Sequence, residues 1–133
     1  MRLLLDTHIM LWALSDDEHL SEKAKEMIQN EKNEIYFSIV SLWEIQIKHL
    51  LHPEQMPDAE TIAEYCKEAG FKMILLQNDN IYRLKKITRS DTAPKHKDPF
   101  DKILICQAVT ENMLFLTHDS LIPDYNVPNI MPV

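Results

Sequence analysis

Four short apolar runs set the terms for this chain's fold: Arg2 to Leu5 (RLLL), Ile35 to Ser38 (IYFS), Met73 to Leu76 (MILL) and Leu114 to Thr117 (LFLT). Each is too short to be a helix in its own right, while the segments between them carry apolar residues at helical spacing. Asp6-Thr7 supplies N-cap chemistry for a helix through Ile9, Leu11, Trp12 and Leu14. Ser21 opens a second helix with Ala24, Met27 and Ile28, ending near Asn30. Strands separated by helices pair in parallel, and parallel sheets are covered on both faces. The expected architecture is α/β: a mostly parallel central sheet flanked by helices on both faces, in one domain over residues 1–133.

The remaining boundaries follow from local chemistry. Ser41-Leu42-Trp43-Glu44 reads as a capping box opening a helix that Ile45, Ile47 and Leu50 continue. Pro53 and Pro57 mark a loop, and Asp58 opens a helix with Ile62, Tyr65 and Cys66 inward. Gly70, the only glycine, stands where a helix end favours left-handed backbone. MILL is expected to be a buried strand, followed by a helix capped by Asn78 or Asp79. Ser90 to Lys97 is a polar loop. Asp98-Pro99 starts a strong helix that Asn112 ends, and a short edge strand is expected near Ile130.

With 45% hydrophobic and 26% charged residues in 133, the chain is a folded globular protein and not a disordered one. Its longest uncharged apolar stretch, Phe37 to Trp43, is too short to cross a bilayer, and Asp6 interrupts the first run too early for a signal peptide. A cytoplasmic protein is expected, with Cys66 and Cys106 as buried free thiols. The net charge of −7 does not by itself suggest nucleic acid. It is unevenly spread: residues 1–66 hold 5 Lys/Arg against 13 Asp/Glu, residues 67–133 hold 9 against 8. Arg89, Lys95, Lys97 and Lys102 cluster around the Asp98 motif and are candidates to bind phosphate.

The acids carry the chemistry. Asp6 follows one strand run directly and Asp119 follows another after His118, and ligands of open parallel sheets bind outside the carboxyl ends of strands. Asp98 and Asp101, three apart, share one face at a helix N-terminus; Asp98 has an evident capping role and Asp101 has none. Glu44 sits among Trp, Leu and Ile. Carboxylates converging at one place repel unless a cation lies among them, and hard oxygen donors suit Mg²⁺ or Mn²⁺. An ion so held is suited to cutting phosphodiesters.

These segments resemble the PIN-domain ribonucleases, specifically the VapC-type toxins of prokaryotic toxin–antitoxin pairs. The matching stretches are LLLDTHIMLWAL, SIVSLWEIQIK, HKDPFDKILICQA and LFLTHDSLI, in the family's order from Leu3 to Ile122. The resemblance implies a metal-dependent endoribonuclease with Asp6, Glu44, Asp101 and Asp119 as its catalytic acids. It implies Asp6, Asp101 and Asp119 as ligands, with Asp98 sharing the third acid's role, and Ser41 and Thr117 beside them toward the substrate. It further implies Mg²⁺ or Mn²⁺ as cofactor, RNA as substrate, a cognate antitoxin, a homodimer, and DNA contacted only through the antitoxin. Lys102, His118 and Asn112-Met113 stand where the family often has Arg, Arg and Gly; none of these departures removes a carboxylate.

Two other readings are weighed. A haloacid-dehalogenase-like phosphotransferase wants a second Asp two residues after the first, where this chain has His8. A catalytically silent scaffold binding RNA or protein would not need the full set of acids. His49 and His52 read as surface residues, and His96 and His118, flanking Asp98 and Asp119, as minor candidates to bind phosphate or shuttle protons. Trp12 and Trp43 are expected in the core; Ile45, Leu50, Leu51 and Met56 either join it or form a groove for a partner.

Overall fold

The computed structural model describes residues 1–96 and 98–133. Strand β1 (Arg2–Leu5) leads into helices α1 (Thr7–Ser15) and α2 (Glu22–Gln29), then β2 (Glu34–Ser38), α3 (Ile39–Leu51) and α4 (Ala59–Glu68). Strand β3 (Lys72–Ile74), α5 (Asn78–Tyr82), α6 (Pro99–Thr110), β4 (Leu114–Thr117) and β5 (Ile130–Pro132) follow, with 3-10 turns at Arg83–Lys86 and Ile122–Asp124. All strand pairs are parallel, in the order β3-β2-β1-β4-β5.

Strand alternation divides the core into two layers. Leu3 and Leu5 point to one face, where Ile9 and Met10 of α1, Ala24 of α2, Ile45 of α3 and Ile62 and Cys66 of α4 cover them. Leu4 points to the other, against Leu104, Ile105 and Ala108 of α6, with Phe115 and Ile122. The sheet is thus covered on both faces, as the run pattern predicts.

Caps and turns explain most boundaries. Asp6, Ser21, Asp58 and Asp98 all accept bonds from the first turn of their helices, and Pro99 occupies the first helical position of α6. Gly70 and Asn112 take left-handed backbone, φ 82° and 55°, just past α4 and α6. Four expectations are corrected. Helix α3 begins at Ile39, capped by Ser38, whose Oγ accepts from the Val40 N–H at 3.0 Å; Ser41 and Glu44 therefore lie inside the helix, not in a capping box. The chain enters α3 straight from β2 with no loop in which Ser41 could act as cap. The MILL run is a half-exposed edge strand only to Ile74, because β2 is its one neighbour in the sheet. Helix α5 is capped by Gln77, with the Asn80 side chain reaching back to the Gln77 N–H. Trp43 is 61% exposed on the outer face of α3, while Trp12 is half-buried between His8 and His19. Ile45 packs in the core, whereas Leu50 and Leu51 are exposed.

A candidate metal centre at the carboxyl ends of the strands

The strand order reverses direction between β1 and β4, since the chain builds outward from β1 through β2 and β3 and then crosses to β4. In open parallel sheets, ligands bind at such a switch point, outside the carboxyl ends of the strands. Asp6 stands there, directly after β1. The Asp6 N–H continues the sheet by donating to the Leu116 carbonyl at 2.9 Å. Its carboxylate is fixed from two sides: Thr117 Oγ1 donates to Oδ2 at 2.6 Å, and the Thr7 N–H donates to Oδ1 at 2.7 Å. Burial holds the Asp6 pKa above the usual carboxylate range, while the Thr117 and Thr7 bonds pull against it.

Helix α6 carries Asp101 in its first turn. Burial and, after it, the charges of Asp6, Asp98, Asp119 and Glu44 push the Asp101 carboxyl up to about 8. Asp119 follows β4; its Oδ1 accepts from the Leu121 N–H at 2.9 Å, which leaves Oδ2 facing His96 at 3.8 Å. Asp98 is occupied as cap, with Oδ1 accepting from the N–H groups of Phe100 and Asp101 at 2.9 and 3.3 Å. Glu44, buried on α3, pairs through Oε2 with Lys48 Nζ at 3.2 Å, while its Oε1 is buried with no hydrogen-bond partner among the described residues.

Two residues the sequence did not single out for this role complete the picture. Lys48, one turn after Glu44, neutralises half of that carboxylate's demand; the i,i+4 spacing was its signal. His96, weighed only as a minor candidate, is buried, with Nε2 3.0 Å from Asp101 Oδ2 and Nδ1 2.6 Å from the Tyr125 hydroxyl. Burial lowers its pKa, against the pull of Asp119. His96, Asp101 and Asp119 place ligand atoms within 4.8 Å of one another.

The residues expected to meet substrate divide. Thr117 donates to Asp6, and Ser41 is buried with its hydroxyl 2.8 Å from that of Thr7, so both hydroxyls support the site from within. Lys102 is half-exposed and Lys95 exposed; Lys97 lies outside the described residues. Arg89 departs from expectation. Its side chain is only 12% exposed, and its guanidinium donates to the Leu121 and Pro94 carbonyls, pairs with Asp124 at 3.5 Å and lies 4.9 Å over the Tyr125 ring. A guanidinium so committed holds the loop together and has little left to offer a phosphate. His118 bonds the Val133 carbonyl, and His49 the Met56 carbonyl.

The donor set fits a divalent cation. Carboxylate oxygens dominate it, one buried Glu44 oxygen has no partner among the described residues, and neighbouring carboxylates add to the effect of burial in raising Asp101. The PIN domain family profile matches residues 3–127. The chain belongs to the PIN domain family. Among solved structures, this PIN domain resembles VapBC2 from Rickettsia felis bound to a DNA fragment from its promoter, at 15% identity and TM-score 0.64, covering 100% of this chain and 98% of that one. It also resembles a toxin–antitoxin complex from Klebsiella pneumoniae, at 16% identity and TM-score 0.59, covering 97% and 95%. A third likeness is to VapBC-1 from nontypeable Haemophilus influenzae, at 14% identity and TM-score 0.61, covering 99% and 98%. At these identities the likeness is one of fold. No curated protein matches the sequence.

Proposed function

We propose that this PIN domain is a metal-dependent endoribonuclease, the VapC-type toxin of a type II toxin–antitoxin pair. The observation that supports the proposal is that Asp101 and Asp119, with His96, bring ligand atoms within 4.8 Å of one another, while Asp6 directly follows the neighbouring strand β1 and a buried Glu44 oxygen has no partner among the described residues. Toxin–antitoxin assemblies among the structural neighbours support the biological setting.

Asp6, Asp101 and Asp119 would hold Mg²⁺ or Mn²⁺, with Glu44 at the edge and Asp98 close by. Such an ion, when bound, activates water for attack on a phosphodiester and stabilises the leaving oxygen. The chain's own residues do the rest. Thr117 and the Thr7 N–H aim Asp6, so its carboxylate needs no reorganisation when RNA arrives. Lys48 holds Glu44 by one oxygen and leaves the other directed inward. Lys102 and Lys95 offset the repulsion that an acidic cleft presents to a phosphate backbone.

A nuclease acting on cellular RNA needs restraint. We place an antitoxin segment in the acidic cleft, with Arg its best anchor because a planar guanidinium pairs bidentately with carboxylates. DNA contact is assigned to the antitoxin alone. The exposed stripe Ile39, Trp43, Ile47 and Leu50 on α3 is where we place a second copy in a homodimer. Among the described residues no helix is long and apolar enough to cross a membrane, and Cys66 and Cys106 are buried free thiols, which suits a cytoplasmic setting.

The test is RNA cleavage by the purified, antitoxin-free protein. Cleavage in Mg²⁺ or Mn²⁺ that EDTA stops is the expected result. RNA or protein binding with no cleavage under any divalent ion would identify a silent scaffold instead.

A further inference from the structure

Asp101 differs from the other acids in that its one carboxylate partner among the described residues is a side chain from an irregular loop. Asp6 receives two donors, one from a strand side chain and one from the backbone. Asp98 receives two backbone N–H groups, and Asp119 receives one. The Asp101 carboxylate has a single hydrogen-bond partner among the described residues, and that partner is His96. Helix α6 sets where the Asp101 backbone lies, but the rotation of its carboxylate depends on that one ring.

The ring is itself held firmly. Its side chain is 4% exposed, so water cannot replace its bonds at little cost. Nδ1 meets the Tyr125 hydroxyl at 2.6 Å, and the two rings pack edge to face. Tyr125 is buried in turn, beneath the Arg89 guanidinium. Arg89 ties its own loop to the segment around the C-terminal 3-10 turn through Pro94, Leu121 and Asp124. Thr88 and Asn126 bond beside it: the Asn126 N–H donates to the Thr88 carbonyl, and the Thr88 N–H to the Asn126 side-chain Oδ1, both at 2.9 Å. A continuous line of contacts thus runs from the C-terminal 3-10 turn to a carboxylate in the cleft.

Both ring nitrogens of His96 are engaged: Nδ1 lies 2.6 Å from the Tyr125 hydroxyl and Nε2 lies 3.0 Å from Asp101 Oδ2. Held on both edges, the ring presents Nε2 to the carboxylate, and carboxylates that bind metal depend on such supporting bonds for their orientation.

We infer that His96 is a positioning residue: braced by Tyr125 and Arg89, it sets the Asp101 carboxylate in the orientation a divalent ion requires. The inference rests on the metal-site reading above. It makes metal affinity depend on residues 88–96 and 122–126, none of which belongs to the acidic set. It also assigns Arg89 a purpose other than binding RNA.

Mn²⁺ binding tests this directly, read from the loss of the free-ion electron paramagnetic resonance signal, with a thermal melt of each variant as a check on folding. Asp101→Asn should abolish tight binding. His96→Ala should weaken it by about 10- to 100-fold, the usual effect of removing a group that orients a metal ligand. His96→Gln, which retains an N–H at similar reach, should recover part of that loss. Tyr125→Phe keeps the ring packing and removes one hydrogen bond, so it should weaken binding less than His96→Ala; it also carries the test if His96→Ala fails to fold. Pulsed measurements on bound Mn²⁺ should show no directly coordinated nitrogen. Wild-type affinity in folded His96→Ala or in Tyr125→Phe would overturn the inference while leaving the metal site standing, as would a coordinated imidazole nitrogen. Equal Mn²⁺ binding by wild type and Asp101→Asn would instead remove the metal site, and the brace with it.

Discussion

Asp6 and Asp101 reach one cleft from different kinds of structure. Asp6 ends a central strand, its main chain still within the sheet, and two donors from neighbouring rigid elements fix its carboxylate. Asp101 rises from the first turn of α6, and a histidine from an irregular loop is its one side-chain support among the described residues. The first acid is placed by topology. The second is placed by a tertiary brace assembled from two separate segments. The strand-end side should therefore tolerate little change at the acid and some change around it, while the loop side should be sensitive to residues well outside the cleft.

Removing either charge should have the largest effect. Asp6→Asn and Asp101→Asn should each reduce RNA cleavage to the background of EDTA-treated wild type while leaving the protein folded, since repulsion in the cleft falls. Gel-based cleavage assays beside thermal melts will show it; near-wild-type cleavage by either variant would break the symmetry claimed for the two acids.

Thr117→Val probes the rigid side at nearly constant volume. It removes the donor to Asp6 Oδ2 but leaves the Thr7 N–H on Oδ1. Metal affinity, followed by calorimetric titration, should fall by about tenfold, the lower end of what such supporting bonds contribute. A loss greater than that of His96→Ala would reverse the ranking of the two sides.

The third expectation concerns pH. Burial and neighbouring carboxylates raise Asp101 to about 8, and burial raises Asp6. A carboxyl whose pKa is raised by folding binds more protons folded than unfolded, so metal-free stability falls as pH climbs from about 4 through about 8. Metal affinity should rise over the same window, because the ion must displace those protons. Thermal melts without metal should slope accordingly, and Asp101→Asn should remove most of the slope. A flat wild-type profile would mean that neither burial nor the neighbouring acids raise these carboxyls.

Asp98→Asn should have the smallest effect. Asn caps helices about as well as Asp, so stability should change by no more than a few tenths of a kcal/mol. Cleavage should fall only modestly, since the Asp98 carboxylate is engaged by Phe100 and Asp101 backbone N–H groups. Complete loss of activity would promote Asp98 to principal ligand in place of Asp101.

The legible parts of this molecule were those with local causes. Strand runs, the Asp98-Pro99 start, Gly70 and Asn112 each declare themselves within a few residues, and the alternation of runs and helices leads to the parallel sheet. The acids were legible because carboxylates at strand ends have little reason to be there for packing. What escaped depends on long-range meetings. Tyr125 carries no local mark of a role at the cleft, since its hydroxyl matters only because residue 96 folds against it. Arg89 read as one more cation in a basic stretch; its guanidinium is engaged by carbonyls 5 and 32 residues away. Trp43 read as core because its helix has an apolar inner face, yet its position on α3 turns it outward against Phe100.

Anomalous scattering from crystals soaked in Mn²⁺ tests the central claim most directly. One strong peak among the carboxylates of Asp6, Asp101 and Asp119, lost in Asp101→Asn crystals, is the predicted result. A fully soaked crystal with no peak in that cleft, or with its peak held by residues elsewhere, would contradict the account.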